Sequence, residues 1–267
     1  VVEGEKAMAE TSTFITYELN GVVAHIGLNR PDKRNAMNDA FVEMLAEAIA
    51  RAEREARAVV LFGHGEHFCA GLDLAEHVQK TPFEGVRGSR RWHAVTAGMQ
   101  HGNIPWVSAL HGGVIGGGME LAAATHVRVT DRSAFFALPE GQRGIFVGGG
   151  GSVRIARLLG VARMSDMMLT GRVISPDEAE RWNLVQYVVE TGAARQKAHA
   201  LAEIMASNAE ISNYAIINAL PRIQDMAKED GLFVESFIAS FTATSPEAEE
   251  RLRAFLEKRV ARLKAPE

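Results

Sequence analysis

Hydrophobic positions along the chain switch between two spacings. Phe14 to Leu19 and Val22 to Leu28 are β-like runs joined by Asn20-Gly21, the dipeptide that most strongly signals a tight hairpin. From Met37 to Ala56 the spacing becomes helical, with Phe41, Leu45, Ala48, Ile49 and Ala52 on one face and Asn38 placed as the N-cap. Ala58 to Phe62 is a short continuous apolar run, as in a buried strand, and Gly63 to Gly65 opens a loop. The pattern then recurs. Trp106 to Leu110 reads as a strand, followed by a glycine-rich loop and a helix from about Gly118 to Ala124. Val127 to Thr130 and Ala134 to Ala137 read as short strands, and Val153 to Leu159 and Ala162 to Thr170 as helices. Ser175 or Asp177 starts another helix, Val185 to Val189 is a last strand, and from Gly192 to Lys264 the spacing is nearly all helical. Alternating strands and helices followed by a helical tail predict an α/β core with a helical C-terminal region. The strand-strand-helix recurrence suggests stacked turns.

Composition narrows the classes. Of 267 residues, 47% are hydrophobic and 23% charged, enough apolar surface for a real core. The net charge of −4 and the lack of a basic stripe speak against nucleic acid or anionic lipid as partners. One cysteine, Cys69, precludes an intramolecular disulfide and suits a reducing, cytoplasmic setting. The longest stretch free of Asp, Glu, Lys and Arg, Trp92 to Met119, is interrupted by glycines and Pro105, so it does not read as a membrane span. Val1 to Ala7 precede Met8 and fit no element; residues 1–12 are expected to lie outside the ordered fold.

Two glycine-centred loops stand out. His67-Phe68-Cys69-Ala70-Gly71-Leu72-Asp73-Leu74 follows the Ala58 to Phe62 strand. His111-Gly112-Gly113-Val114-Ile115-Gly116-Gly117-Gly118-Met119-Glu120 follows the Trp106 to Leu110 strand. Both lie at the carboxyl end of a strand, where open α/β folds place ligands. Glycine lets the backbone approach a ligand and turn its N–H groups outwards, and two such groups converging on one oxygen make an oxyanion hole. Neither loop has the spacing of a P-loop or a dinucleotide fingerprint. The plain alternative for each is a tight turn before a helix.

Glu120 is the first formal charge after Arg91, among Val114, Ile115, Met119, Leu121 and three alanines. Burial there raises a carboxyl pKa and suits it to proton transfer near neutrality. Glu140, in Phe135-Phe136-Ala137-Leu138-Pro139-Glu140-Gly141, has a similar setting, and read by itself is a helix-starting Pro-Glu pair. His64, His67 and Cys69 lack a fourth partner for a metal site, and no Gly-x-Ser-x-Gly elbow occurs. Gly148 to Gly151 either lines the site or permits a turn before the next helix.

In order and combination these segments resemble the crotonase (enoyl-CoA hydratase/isomerase) superfamily, from about Phe14 to Leu263. The landmarks are Asn29 to Met37, Phe68 to Leu74, Gly116 to Ala122, Pro139-Glu140 and Leu169-Thr170-Gly171. The resemblance implies a core of ββα turns over residues 13–200 and a helical oligomerisation region over 201–267, in a homotrimer or, where trimers pair, a homohexamer. It implies an acyl-CoA substrate, with no metal and no cofactor beyond the coenzyme A of the substrate itself. By motif position the oxyanion amides belong to Leu72 and Gly117, and the two glutamates that hold the adding water are Glu120 and Glu140. CoA or substrate contacts fall on Lys33, Arg34, Ala36, Ala70, Gly71, Asp73, Leu74, Gly116 and Gly148, with Phe255 and Lys258 on the terminal helix reaching the nucleotide across a subunit interface. Two departures imply a reshaped acyl pocket: Leu72 is bulkier than the usual residue, and Ile145-Phe146-Val147-Gly148 replaces an Ile-Pro-Gly segment.

The expected activity is hydration of 2-enoyl-CoA to 3-hydroxyacyl-CoA. The alternatives are an enoyl-CoA isomerase, which needs one base, and a non-catalytic crotonase-like scaffold, which has little reason to keep two glutamates and two glycine loops together. A dienoyl-CoA isomerase is expected to carry an acid where this chain has Gly148.

Overall fold

The computed structural model describes residues 13–77, 80–257 and 259; the expectations for residues 1–12 and for Lys258 fall outside them. The chain opens with a hairpin of β1 (Ile15–Asn20) and β2 (Val23–Leu28), followed by α1 (Asp39–Glu55) and β3 (Ala58–Gly63). After α2 (Leu74–His77) and α3 (Pro82–His101) come β4 (Trp106–Leu110), β5 (Gly113–Ile115), α4 (Gly117–Ala122), β6 (Val127–Asp131) and β7 (Phe135–Ala137). The pattern continues with α5 (Gly151–Leu159), α6 (Val161–Thr170), β8 (Val173–Ile174), α7 (Pro176–Arg181) and β9 (Tyr187–Val189). Four helices close the chain: α8 (Ala194–Ala206), α9 (Glu210–Ile223), α10 (Lys228–Ala243) and α11 (Pro246–Leu256).

Six strands form one sheet in the order β1-β2-β3-β4-β6-β9, and β5-β7-β8 form a second. The large sheet is parallel from β2 onwards, with the β1–β2 hairpin antiparallel at its edge. β2, β3 and β4 are buried at every position, which is why they read as unbroken apolar runs. The bridges Met37↔Leu72 and Cys69↔Val114 continue the pairing outside the named strands. Each turn thus lays one strand in the large sheet, then a shorter extended segment alongside the small one, then a helix. This is the crotonase-type spiral.

The elements follow from local chemistry. The Asn38 side chain accepts the Phe41 amide and starts α1, whose buried face is Phe41, Val42, Leu45, Ala48, Ile49 and Ala52. On the opposite face of the large sheet, Ala194, Ala198, Ala202 and Ala206 form a flat side of α8 packed with Val60, Val107 and Val129. The boundary expected at 200/201 therefore falls inside a helix seated on the sheet, and the helices that leave it begin at α9.

The 20-residue α3 was not predicted. Gly85, Gly88 and Gly98 interrupt its apolar stripe, and glycine is a poor helix former. Its one clear sequence signal is the capping box of Thr81 and Glu84 with Pro82 at the first turn. The last strand is shorter than expected, because Leu184 and Val185 turn inward after α7 and pairing starts at Tyr187.

One buried side chain ties the first glycine loop to the segment before α1. Asn35 is fully buried at φ 56°, a left-handed conformation that asparagine tolerates better than most residues. Its Nδ2 donates to the carbonyls of His64, His67 and Phe68 at 2.9, 2.8 and 3.1 Å, and its Oδ1 accepts the Arg30 amide at 2.8 Å. Asn35→Ala removes the partner of these groups at a fully buried position and is expected to destabilise the protein by about 2–4 kcal/mol, measured by urea unfolding. Asn35→Asp, which turns an acceptor towards three carbonyls, is expected to cost at least as much.

Candidate active site

The two glycine loops meet face to face at the carboxyl ends of β3 and β4. Met37 donates to the Gly71 carbonyl at 2.8 Å and Asp73 to the Met37 carbonyl at 2.9 Å, so residues 71–73 run as a short strand beside Met37. The amide of Leu72, between those two bonds, has no protein acceptor among the described residues, and neither does the amide of Gly117 at the first turn of α4. The loops approach so closely that a methyl group placed on Gly71 would lie 3.1 Å from the Gly117 nitrogen, and one on Gly117 3.4 Å from the Leu72 nitrogen. Gly71 also has φ 94°. Glycine is required here for both space and conformation. Two free N–H groups are left side by side, the arrangement that can stabilise an oxyanion.

Glu120, on α4, is 2% exposed. Its Oε1 accepts the amides of Gly149 and Gly151, both at 2.7 Å. The Gly148–Gly151 run is therefore a cradle as well as a turn into α5. Its carbonyls face the other way: Ser89 Oγ donates to Gly148 at 2.6 Å and Arg154 to Gly149 at 3.0 Å. Burial raises the Glu120 pKa, and the amide bonds oppose that only in part. Glu140 follows β7 at the start of a 3-10 turn over Gly141–Arg143 and is 5% exposed. Its Oε2 is buried without a partner among the described residues, and Oε1 lies 2.7 Å from where a methyl group on Gly116 would stand. Burial raises its pKa too, and the charge of Glu120 raises it further. The Glu140 carboxyl thus lies within reach of the Glu120 charge.

A cleft opens beside this centre, walled by Met37, Val42, Leu72, Trp92, Ile145 and Gly148, with Gly85, Gly88 and Ser89 of α3 along one side. Neither glutamate lines it: Glu120 is bonded to Gly149, next in the chain to the lining Gly148, and Glu140 lies against Gly116. At the outer lip, Lys80 pairs with Asp39 at 2.7 Å and Arg91 bridges Asp39 and Glu43 at 3.3 and 3.2 Å. Lys80 in particular holds the Asp39 carboxyl below its ordinary range.

Most of the anticipated contact residues cluster. Lys33 and Arg34 are exposed on the rim, and the Arg34 carbonyl accepts the Ala70 amide at 2.9 Å. Arg30 binds both the Ala36 carbonyl at 3.0 Å and the Asp73 carboxylate at 2.8 Å, and holds that carboxyl below the usual range. Ala36, Ala70, Gly71, Leu72, Asp73 and Leu74 thus form one rim, with Gly116 and Gly148 beneath. Phe255 is not there. It is exposed on α11, which is tied to the end of α8 by Arg251 donating to the Ser207 carbonyl at 2.7 Å. Of the residues weighed as metal ligands, His67 accepts the Gly113 amide at 2.9 Å and His64 pairs with Thr16 at 2.9 Å. Burial pushes the Cys69 thiol up to about 12, so it is no nucleophile. The described residues hold no cluster of three or more His, Cys, Asp or Glu able to bind a metal, and no helix among them is long and apolar enough to cross a membrane.

Fold and site define an α/β enzyme of the crotonase type. Residues 18–265 match the family model described as enoyl-CoA hydratase/isomerase. The chain is 31% identical over 259 residues to enoyl-CoA hydratase EchA19 of Mycobacterium tuberculosis, covering 95% of this chain and 97% of that one. It is 32% identical over 234 residues to the 2,3-dehydroadipyl-CoA hydratase of Escherichia coli, covering 87% and 91%. A Rhodopseudomonas palustris protein provisionally named an enoyl-CoA hydratase superposes with a TM-score of 0.89 at 48% identity, over 92% of this chain and 95% of its own. The chain belongs to the enoyl-CoA hydratase/isomerase family.

The raised carboxyl pKa values carry a stability consequence. A carboxyl whose pKa is higher folded than unfolded favours the folded state below its unfolded pKa, and that contribution is lost as pH rises through the folded value. Glu140→Gln removes the ionisation. Thermal unfolding is expected to show the variant gaining on wild type as pH rises from 5 to 8. A difference in Tm that is flat with pH would contradict burial of an ionisable Glu140.

Proposed function

We propose that this protein hydrates 2-enoyl-CoA thioesters to 3-hydroxyacyl-CoA, with protein groups alone doing the chemistry. The observation that carries this reading is that two free backbone amides, at Leu72 and Gly117, accompany two buried carboxyls, Glu120 on the same helix as Gly117 and Glu140 against Gly116, both raised in pKa by burial.

Addition of water to a conjugated thioester builds negative charge on the carbonyl oxygen. Fixed N–H donors at Leu72 and Gly117 stabilise that charge without reorganising; losing one such donor typically costs about 3–4 kcal/mol. The two carboxyls need opposite protonation states. Glu120, with one oxygen held by two amides, suits the ionised role and accepts a proton from water as its oxygen bonds the β-carbon. Glu140, raised by burial and by the charge of Glu120, suits the protonated role and delivers a proton to the α-carbon. An isomerase needs a single base, so the second carboxyl favours hydration. In the same reading Lys33, Arg34 and the Ala70 to Leu74 loop meet the coenzyme, and the cleft beside Trp92 and Ile145 takes the acyl group.

Tyr214, Ile216 and Leu220 on α9, and Phe233, Phe237 and Phe241 on α10, are exposed. So many large apolar side chains on two adjoining helices suit burial between copies of the chain, as a homotrimer or a pair of trimers. Such an assembly is where Phe255 would reach a neighbour's nucleotide.

A panel of 2-enoyl-CoA esters varied in length and branching, assayed by loss of the conjugated thioester absorbance, tests the reading. Glu120→Gln keeps an acceptor for the two amides and Glu140→Gln keeps the side-chain volume. Each is expected to lower kcat by at least about a hundredfold without unfolding the protein. The acid limb of kcat/KM is expected above the ordinary glutamate range, because both carboxyls are raised. Full activity in either variant, or turnover confined to double-bond migration in 3-enoyl-CoA, would overturn it.

A further inference from the structure

Trp92 lies on the face of α3 that also carries Gly85, Gly88 and Ser89, and it walls the acyl cleft. It is 5% exposed, and its indole Nε1 is buried with no hydrogen-bond partner among the described residues. A buried tryptophan N–H ordinarily has one, and leaving a donor unpaired costs about 1–3 kcal/mol. Such a group in a wall facing a cleft calls for an acceptor that arrives with the ligand.

The position of the N–H narrows what that acceptor is. A methyl group on Gly149 would collide with Trp92 Nε1 and Cδ1, and would stand 3.1 Å from Glu120 Oε2. The indole N–H edge thus abuts the Gly149 α-carbon, on the side where the second oxygen of Glu120 also lies. Gly149 does not have a positive φ, so glycine is needed here for room. The other oxygen, Oε1, is committed to the amides of Gly149 and Gly151, which fixes the carboxylate and leaves Oε2 on the side of Gly149 that Trp92 borders.

We propose that the Trp92 indole N–H is a third polar contact, beside the two glutamates, for the oxygen that adds to the β-carbon: water in the substrate complex and the 3-hydroxyl group in the product. This rests on the hydratase reading. A water oxygen that donates one hydrogen to Glu120 and the other to Glu140 has two lone pairs left. The N–H takes one and leaves the other aimed at the β-carbon. Trp92 exchanges no proton; it fixes the orientation of the oxygen, and it distinguishes a β-hydroxyl from a β-methylene.

Trp92→Phe keeps a ring in the wall and removes only the donor edge. The readout is a ratio within each protein: the Kd for 3-hydroxybutyryl-CoA against that for butyryl-CoA, by calorimetry. In wild type the hydroxyl is expected to strengthen binding, and in W92F this advantage is expected to shrink about five- to tenfold, the equivalent of one ordinary hydrogen bond. General damage to the cleft weakens both ligands and leaves the ratio unchanged. With crotonyl-CoA, kcat is expected to fall about tenfold while KM stays within about twofold. An unchanged ratio, or wild-type kcat, would overturn the assignment of Trp92 and leave the hydratase reading standing. A wild-type protein that hydrates no enoyl-CoA ester would overturn both. Should W92F fail to fold, indole-15N labelling of the wild-type protein gives the same answer. The Trp92 N–H resonance is expected to move downfield with 3-hydroxybutyryl-CoA and not with butyryl-CoA, with Trp106 and Trp182 as internal references. Equal shifts with both ligands would refute it.

Discussion

An ionisable carboxyl held in an apolar interior is the constraint on which the rest of the site depends. Glu120 sits among Met119, Leu121 and Ala122, all buried, where a charge without partners is expensive. Two amides of the Gly148–Gly151 turn receive one of its oxygens, and that turn is in turn fixed by Ser89 of α3 and Arg154 of α5. The carboxyl is thereby poised between forms: burial pushes its pKa up while the amides keep ionisation within reach. Glu140, close enough to feel that charge, is driven towards the protonated form. The proposed hydration draws an acid and a base from two identical side chains because their surroundings differ.

Close approach is the second requirement, and glycine meets it at each contact. Gly71 and Gly117 let two loops touch so that their amides stand together, and Gly149 makes room for the Trp92 indole. These contacts link segments held by β3, β4 and α3, so the precision of the site derives from the register of the large sheet. Asn35 and the Arg30–Asp73 pair lock the rim to that frame. The carbonyl contacts of the fully buried Asn35 side chain are worth more than the ion pairs of the cleft lip, which water screens.

Much of this was legible in the residues themselves. The unbroken apolar runs of β3 and β4, the Asn38 cap and the Asn20-Gly21 turn each carry a local signal, and they appear where expected. The burial of Glu120 followed from its neighbours. What local pattern could not reveal were relations between distant segments. The three glycines in α3 hid a helix that walls the cleft, and nothing around Trp92 says that its N–H would face Gly149. The rim pairing of Arg30 with Asp73 is likewise a product of the Met37↔Leu72 register. The site pairs a strand-bound frame readable in sequence with contacts that exist only once the turns are stacked.

The central claim is that Glu120 and Glu140 form one coupled acid–base unit at neutral pH. Carboxyl 13C titration of glutamate-labelled protein, with Glu120→Gln and Glu140→Gln used for assignment, tests it directly. The account predicts that both resonances titrate above the ordinary glutamate range, and that removing the Glu120 charge lowers the pKa of Glu140. Two independent titrations at ordinary glutamate values, each unaffected by replacing the other residue, would contradict it.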